Sequence, residues 1–339
     1  MFIRRRPGWT IAEADVTPES AYLNRREWLR RVGIGSIAAM AAPLSACAQD
    51  TGSSGQAPAA ALDVSDDPTF DLYPLERNAR YQVQRDLTRK ALALTYNNYY
   101  EFLERFGSVK DIWEAAQNLE IRPWSVRIEG MVEEAKTVDI DTLIRAMPLE
   151  ERIYRHRCVE AWAMTVPWSG FPMKALLDYA KPLGGAKYVK MQTFFDQDVA
   201  PNQSRSAGLP WPYTEGLTIE EAANELAFMA TGLYGKPLTE QNGAPLRLVV
   251  PWKYGFKSLK SIDRIVFTDE RPLGFWEELQ PSEYGFWANI NPDVPHPRWS
   301  QSTERLLGED EQVPTRLYNG YEEYVAGLYR DKAGEDLFR

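Results

Sequence analysis

Cysteine and histidine are scarce, with two of each in 339 residues. A structural zinc site takes four nitrogen or sulfur ligands at close spacing, and Cys47, His156, Cys158 and His296 do not form such a set. No CxxCH run is present to attach a c-type haem, and no GxGxxG or GxxxxGK loop to cradle a nucleotide phosphate. Positive charge is also short. The formal net charge is −9, and the first 48 residues hold seven of the 39 basic side chains but four of the 48 acidic ones, which leaves the remainder at −12. Nucleic-acid binding needs concentrated Lys and Arg against phosphate, so this balance argues against it. Beyond residue 48 no apolar run is long enough to span a bilayer as a helix, and no internal repeat is evident.

What the chain does have is aromatic and turn-forming residues: 11 Trp, 23 Pro and 22 Gly. The length gives room for a large core, and this composition fits many loops packed over strands. Near the N-terminus, Asn24-Arg25-Arg26-Glu27-Trp28-Leu29 sets paired arginines before an aromatic residue and a leucine. Val32 to Ala46 follows as an apolar run too short for a membrane span, ending in small residues. This is the pattern of a twin-arginine export signal, so residues 1–48 read as a signal peptide and the periplasm as the destination. Residues 49–75 read as a flexible linker, rich in Gly, Ser, Ala and Pro over Asp50 to Ala61, and 76–339 as one large domain. Cys47 fits two fates. Leu44-Ser45-Ala46-Cys47 resembles a lipobox, which would make Cys47 a lipid anchor, and Ala46-Cys47-Ala48 fits cleavage that removes it.

Either fate leaves Cys158 a solitary thiol in an oxidising compartment. It is a small buried hydrophobe or a bound thiolate. A thiol hydrolase with His296 as base is a third reading. The run Glu150 to Cys158 is strand-like, which would put His156, Cys158 and Glu160 on one face and Arg155 and Arg157 on the other. Pro167-Trp168-Ser169-Gly170 reads as a turn. Further strands are expected over Trp124 to Glu129, Tyr188 to Thr193, Leu246 to Val250 and Ile262 to Phe267. Helices are expected after Asp139 or Asp141 as cap and up to Met147, over Pro172 to Ala180, and after Thr218, where Glu221 completes a capping box. Phe194 to Gly216 reads as a long irregular loop over a site. Strands and short helices interleave without a regular βαβ beat, so the expected fold is α+β, mixed and strand-rich.

Two stretches offer polar chemistry. Thr95 to Phe102 places Asn97 and Asn98 between aromatic residues, as an ordinary turn or a ligand-binding loop. Arg247, Lys257 and Lys260, with Asn242 nearby, are either surface charges or a phosphate site.

Five segments together resemble a known family. They are Tyr96 to Phe102, Arg157 to Trp162, Gln241 to Pro245, Val250 to Lys257 and His296 to Gln301. From Tyr96 to Arg330 the chain resembles the catalytic subunits of bacterial periplasmic protein-methionine-sulfoxide reductases, molybdenum enzymes with the sulfite oxidase fold. The resemblance implies one molybdenum–molybdopterin cofactor with Cys158 as the metal ligand. It implies cofactor contacts from Asn97, Tyr100, Glu101, Thr193, Asn242, Arg247, Ser258, Leu259 and Lys260. It implies electrons from a membrane-embedded b-type haem subunit and oxidised periplasmic proteins as substrates. Glu160 is the candidate for a supporting catalytic role beside Cys158, or else a structural carboxylate paired with Arg155 or Arg157. An open, solvent-facing pocket is expected for a substrate presented on other proteins. A sulfite-oxidising enzyme, another S- or N-oxide reductase, and a cofactor-free binding protein are the competing readings. The resemblance implies nothing for His156.

Overall fold

Alternating burial is visible wherever one face of a strand meets the core. The strand β1 (Ser125–Gly130) buries Val126 and Ile128 and exposes Ser125 and Arg127 between them. This is the period-two pattern of a half-buried strand. The computed structural model describes residues 63–103, 112–206, 208–309, 311–332 and 334–339. The arginine pair, the apolar run behind it, Cys47 and the linker through residue 62 lie outside the described residues.

In chain order the helices are α1 (Lys90–Thr95), α2 (Ile112–Ala116), α3 (Ile140–Arg145), α4 (Met173–Ala180), α5 (Pro201–Arg205), α6 (Ile219–Ala222), α7 (Phe275–Leu279) and α8 (Glu322–Val325). After β1 the strands are β2 (Lys136–Asp139), β3 (Glu150–Arg157), β4 (Trp162–Pro172), β5 (Tyr188–Thr193), β6 (Thr214–Thr218), β7 (Phe228–Leu233), β8 (Lys236–Pro237), β9 (Arg247–Val249), β10 (Ile262–Thr268), β11 (Thr303–Leu306) and β12 (Gln312–Pro314). One sheet has the order β2-β1-β10-β5-β6. The other runs β12-β11-β4-β7-β8, with β3 on β4 and β9 on β7. Most neighbours are antiparallel; β1 with β10 and β11 with β4 are parallel. This is a mixed, strand-rich α/β architecture.

Local chemistry sets the helix starts. Asp139 accepts from Thr142 N–H at 3.0 Å and caps α3. Thr218 and Glu221 cap α6 reciprocally, each bond at 3.1 Å. Gly130 ends β1 at φ +86° because a Cβ there would collide with Phe267 O.

Three segments differ from their sequence reading. Pro167 to Gly170 is not a turn but the middle of β4, buried at every one of those residues. The proline is tolerated because β4 exchanges neighbours there: β11 pairs at Trp162 and Ala163, and β7 only from Trp168 onward. Phe194 to Gly216 is not irregular throughout. It contains α5 and the start of β6, which pairs with β5 from Gln192↔Thr214. Residues 63–75, within the stretch read as linker, are fastened to the body. Tyr73 OH donates to Thr231 Oγ1 at 2.8 Å, and Arg122 pairs with Asp67 at 3.4 Å. Polarity made this segment look detached, whereas its polar groups have partners in the core.

The site is positioned at a seam between the sheets. The β3–β4 hairpin ends in Cys158, and β9 carries Arg247 in the same sheet. Lys260 lies just before β10 in the other sheet, where Ile262 pairs with Thr193.

Candidate functional site

β3 stops one residue earlier than its sequence pattern. Arg157 pairs with Ala163, and residues 158–161 form the hairpin turn. Cys158 N–H donates to Trp162 O at 2.9 Å, and Ala161 N–H to Cys158 O at 3.1 Å. Ala161 closes the turn at φ +64°, a left-handed conformation that costs a residue with a Cβ. Glu160 therefore approaches Cys158 around a turn, not along a strand face. Its N–H points at Cys158 Sγ at 3.5 Å.

The Glu160 carboxylate has three donors. Tyr100 OH donates at 2.9 Å, Asn98 Nδ2 at 3.1 Å and Trp162 Nε1 at 3.2 Å. Asn98 Nδ2 also reaches Cys158 Sγ at 3.4 Å. The alternative pairing with arginine is not formed. Arg155 donates to Asn319 O at 3.0 Å, and Arg157 pairs with Glu304 at 3.0 Å. Asn98, absent from the implied contact set, is thus the residue that joins Cys158 to Glu160. Its place in the Asn-Asn pair between aromatics was the available signal.

Burial pushes the Cys158 thiol up, and the Glu160 carboxylate adds to that. A hydrolytic cysteine needs the opposite shift. His296 is also occupied elsewhere. Its ring stacks on Trp299 at 3.8 Å, its Nδ1 accepts from Arg298 N–H at 3.3 Å, and its Nε2 faces Glu283 at 3.4 Å. The thiol-hydrolase reading has no support in this geometry. A thiol that resists ionisation alone suits a site where a metal cation displaces the proton.

Arg247 is 3% exposed. Its guanidinium donates to Asn242 O at 2.9 Å and Ser258 O at 3.1 Å and lies over the Trp168 ring. Lys260 Nζ donates to Asn98 O at 2.8 Å and sits over the Tyr99 ring. Burial pushes Lys260 down, Arg247 pushes it further, and burial pushes the neighbouring Glu101 up. Lys257 is not part of this group. Its ammonium is spent on Glu215 at 2.6 Å, with both side chains buried. Thr193 donates to Lys260 O at 2.9 Å and so fixes that turn from the second sheet. Asn242 binds Thr239 and Ala93 through its side chain, Ser258 Oγ accepts from Val250 N–H, and Leu259 O accepts from Leu248 N–H. These three shape the loop around the cations. Tyr100 and Glu101 follow on a 3-10 turn, Tyr100–Phe102.

Two cations side by side, Arg247 buried and Lys260 half-buried, bonded mainly to backbone carbonyls, call for an anion. Asn97 Oδ1, Asn98 Oδ1 and Trp168 Nε1 are buried around them without partners. The donor set, a soft sulfur at one end and two cations at the other, fits a metal–dithiolene group with a phosphate tail.

Residues 114–276 match the profile of the oxidoreductase molybdopterin binding domain. A structural similarity is found to the sulfane dehydrogenase SoxCD from Paracoccus pantotrophus, at 16% identity and TM-score 0.40, over 55% of this chain and 47% of that one. The similarity thus spans about half of that protein's length. Removing the charge at Arg247 and Lys260 together is expected to lower cofactor content while leaving the fold intact, since each charge-assisted bond contributes about 1.5–3 kcal/mol. Molybdenum and pterin analysis of the purified double variant checks this, and full occupancy would make both residues mere loop supports. The profile match, the cation pair and the solitary thiol agree: residues 114–276 match an oxidoreductase molybdopterin-binding domain, whose cofactor is molybdenum–molybdopterin.

Proposed function

We propose that the protein reduces methionine sulfoxide in oxidised periplasmic proteins to methionine, with Cys158 as the metal ligand. The observation that carries this reading is the kind of charge beside Cys158. A sulfite oxidiser would gather arginines there to hold a dianion. The neighbouring arginines, Arg155 and Arg157, are instead engaged on Asn319 and Glu304. Next to the sulfur stands the Glu160 carboxylate, with Tyr100, Trp162 and Asn98. A carboxylate repels sulfite and tolerates a neutral sulfoxide, and aromatic walls suit a thioether.

The balanced reaction takes two electrons and two protons per sulfoxide and releases methionine and water. When bound, the molybdenum–dithiolene group supplies the oxygen-atom transfer chemistry. The chain's own part is orientation and protons. Asn98 fixes the spacing of Cys158 and Glu160. Tyr100 OH, donating to Glu160 Oε1, supplies a hydrogen-bonded route along which a proton reaches the sulfur's surroundings. Removing an oxidative lesion from an apolar side chain restores packing in the substrate protein. Turnover of the cofactor-loaded protein with methionine sulfoxide and with sulfite tests the reading. Sulfoxide reduction without sulfite oxidation is expected, and the reverse would overturn it.

Two further expectations belong to this reading. Replacing Arg25-Arg26 with Lys-Lys should leave folded, cofactor-loaded protein in the cytoplasm, and fractionation reads this directly; normal periplasmic levels would count against it. Among the described residues no helix is long and apolar enough to cross a membrane. This reading draws electrons from the quinone pool through a separate membrane haem subunit. Repair of oxidised periplasmic proteins should stop in cells without that subunit, and undiminished repair would remove it from the scheme.

A further inference from the structure

His156 is a chemistry-bearing side chain beside Cys158 that none of these roles uses. Alternation along β3 sends Arg155 and Arg157 to one side, where they meet Asn319 and Glu304, and His156 to the other. On its own side the imidazole lies 6.0 Å from the Trp162 ring. It also lies against Gly255, where a Cβ would come within 2.7 Å of its Nε2. Gly255 opens the 3-10 turn Gly255–Lys257. Ser258, just beyond, holds the Arg247 guanidinium, and Lys260 follows two residues later. The imidazole thus rests against the segment that carries one cation and anchors the other.

His156 forms no hydrogen bond with the described residues, yet its nitrogens are not sealed off in the core. The residue keeps some accessible surface. A neutral imidazole there has one N–H to donate and no partner among the described residues to receive it.

We propose that His156 is a third ligand-facing residue of the cofactor site, donating its ring N–H to the phosphate-bearing part of the pterin that Arg247 and Lys260 hold. The proposal rests on the reading of those two residues as cofactor anchors. A neutral donor suits the position, because a third cation beside Arg247 and Lys260 would raise the repulsion that the anion has to offset.

The test uses the full chain, purified with its cofactor, as His156→Leu and His156→Gln. Molybdenum and pterin content, the rate of cofactor loss on dilution, and the melting temperature of the apoprotein are measured. His156→Leu should lose cofactor about three- to tenfold faster than the parent, the range of one lost neutral hydrogen bond. His156→Gln, which keeps an N–H, should recover part of the difference. The apoprotein of His156→Leu should melt at the parental temperature or above, because an unpartnered imidazole has been removed from beside two cations. Parental retention by His156→Leu overturns the proposal. So does cofactor loss that merely tracks a lower apoprotein melting temperature, which marks a packing role. Arg247→Ala/Lys260→Ala is run alongside. If it too retains cofactor, the reading of the anchors is what fails; if it loses cofactor while His156→Leu does not, only the role of His156 falls.

Discussion

Cys158→Ser is expected to fold, to keep pterin through the Arg247 and Lys260 contacts, and to lose nearly all sulfoxide reduction. Removing a group that merely supports a metal ligand costs about 10–100-fold, and removing the ligand sulfur itself should exceed that. Serine offers a hard oxygen in place of a soft thiolate, so the sulfur-to-metal charge-transfer absorption should vanish as well. The substitution is nearly isosteric, and Cys158 sits at a hairpin tip, so melting temperature should move little. Structural and ligand roles separate on this one protein. Mild destabilisation with activity kept would mean a packing cysteine; parental stability with activity gone marks the ligand. A Cys158→Ser enzyme turning over near the parental rate would remove the centre of the proposed function.

Lys257→Met should produce the largest stability loss. It strips the partner from Glu215, a carboxylate only 1% exposed. Breaking a buried pair by removing one member costs about 3–5 kcal/mol, because the remaining charge is left without compensation. For a chain of this size that lowers the melting temperature by on the order of 10 °C. The pH dependence has a definite sign. Burial already raises the Glu215 pKa above its ordinary value of 4.5, and without Lys257 it rises further. The native variant then binds a proton that the unfolded chain has released, so its stability is greatest below about pH 4.5 and declines as pH rises. Lys257→Met/Glu215→Leu, which removes both charges, should recover most of the loss. If Lys257→Met instead kept its melting temperature and lost pterin, the lysine would belong to the phosphate site after all.

Lys257 also shows what a sequence can and cannot convey here. Its place near Arg247 and Lys260 marked all three as one basic group, because linear spacing does not say which way a side chain leaves a tight turn. Glu215 lies 42 residues away, and only the pairing of β5 with β6 brings it under the turn. Local signals fared better. The capping box at Thr218 and Glu221, the cap at Asp139 and the strand at Tyr188–Thr193 involve neighbours in sequence, and each is formed where its pattern lies. The strand through Pro167 was illegible because proline and glycine signal a turn unless the exchange of neighbouring strands is known. The solitary thiol and the polar aromatic loop pointed to a site. The bridge that Asn98 makes between Cys158 and Glu160 depends on a loop 60 residues upstream of the cysteine.

The hairpin that presents Cys158 has one more property. Arg157 reaches Gln301 at 2.8 Å and Glu304 at 3.0 Å, across sequence separations of 144 and 147. Gln301 and Trp299 both donate to Val159 O at 2.8 Å. The peptide units that flank the cysteine are thus gripped by a segment made some 140 residues later. During synthesis, emerging from the ribosome N-terminus first, the hairpin has no such grip until residues 299–304 are out. The cysteine's orientation is then a late event in folding. Under the proposed export, cofactor loading falls between that event and departure from the cytoplasm. An export route that carries only folded cargo would act as a checkpoint on that interval.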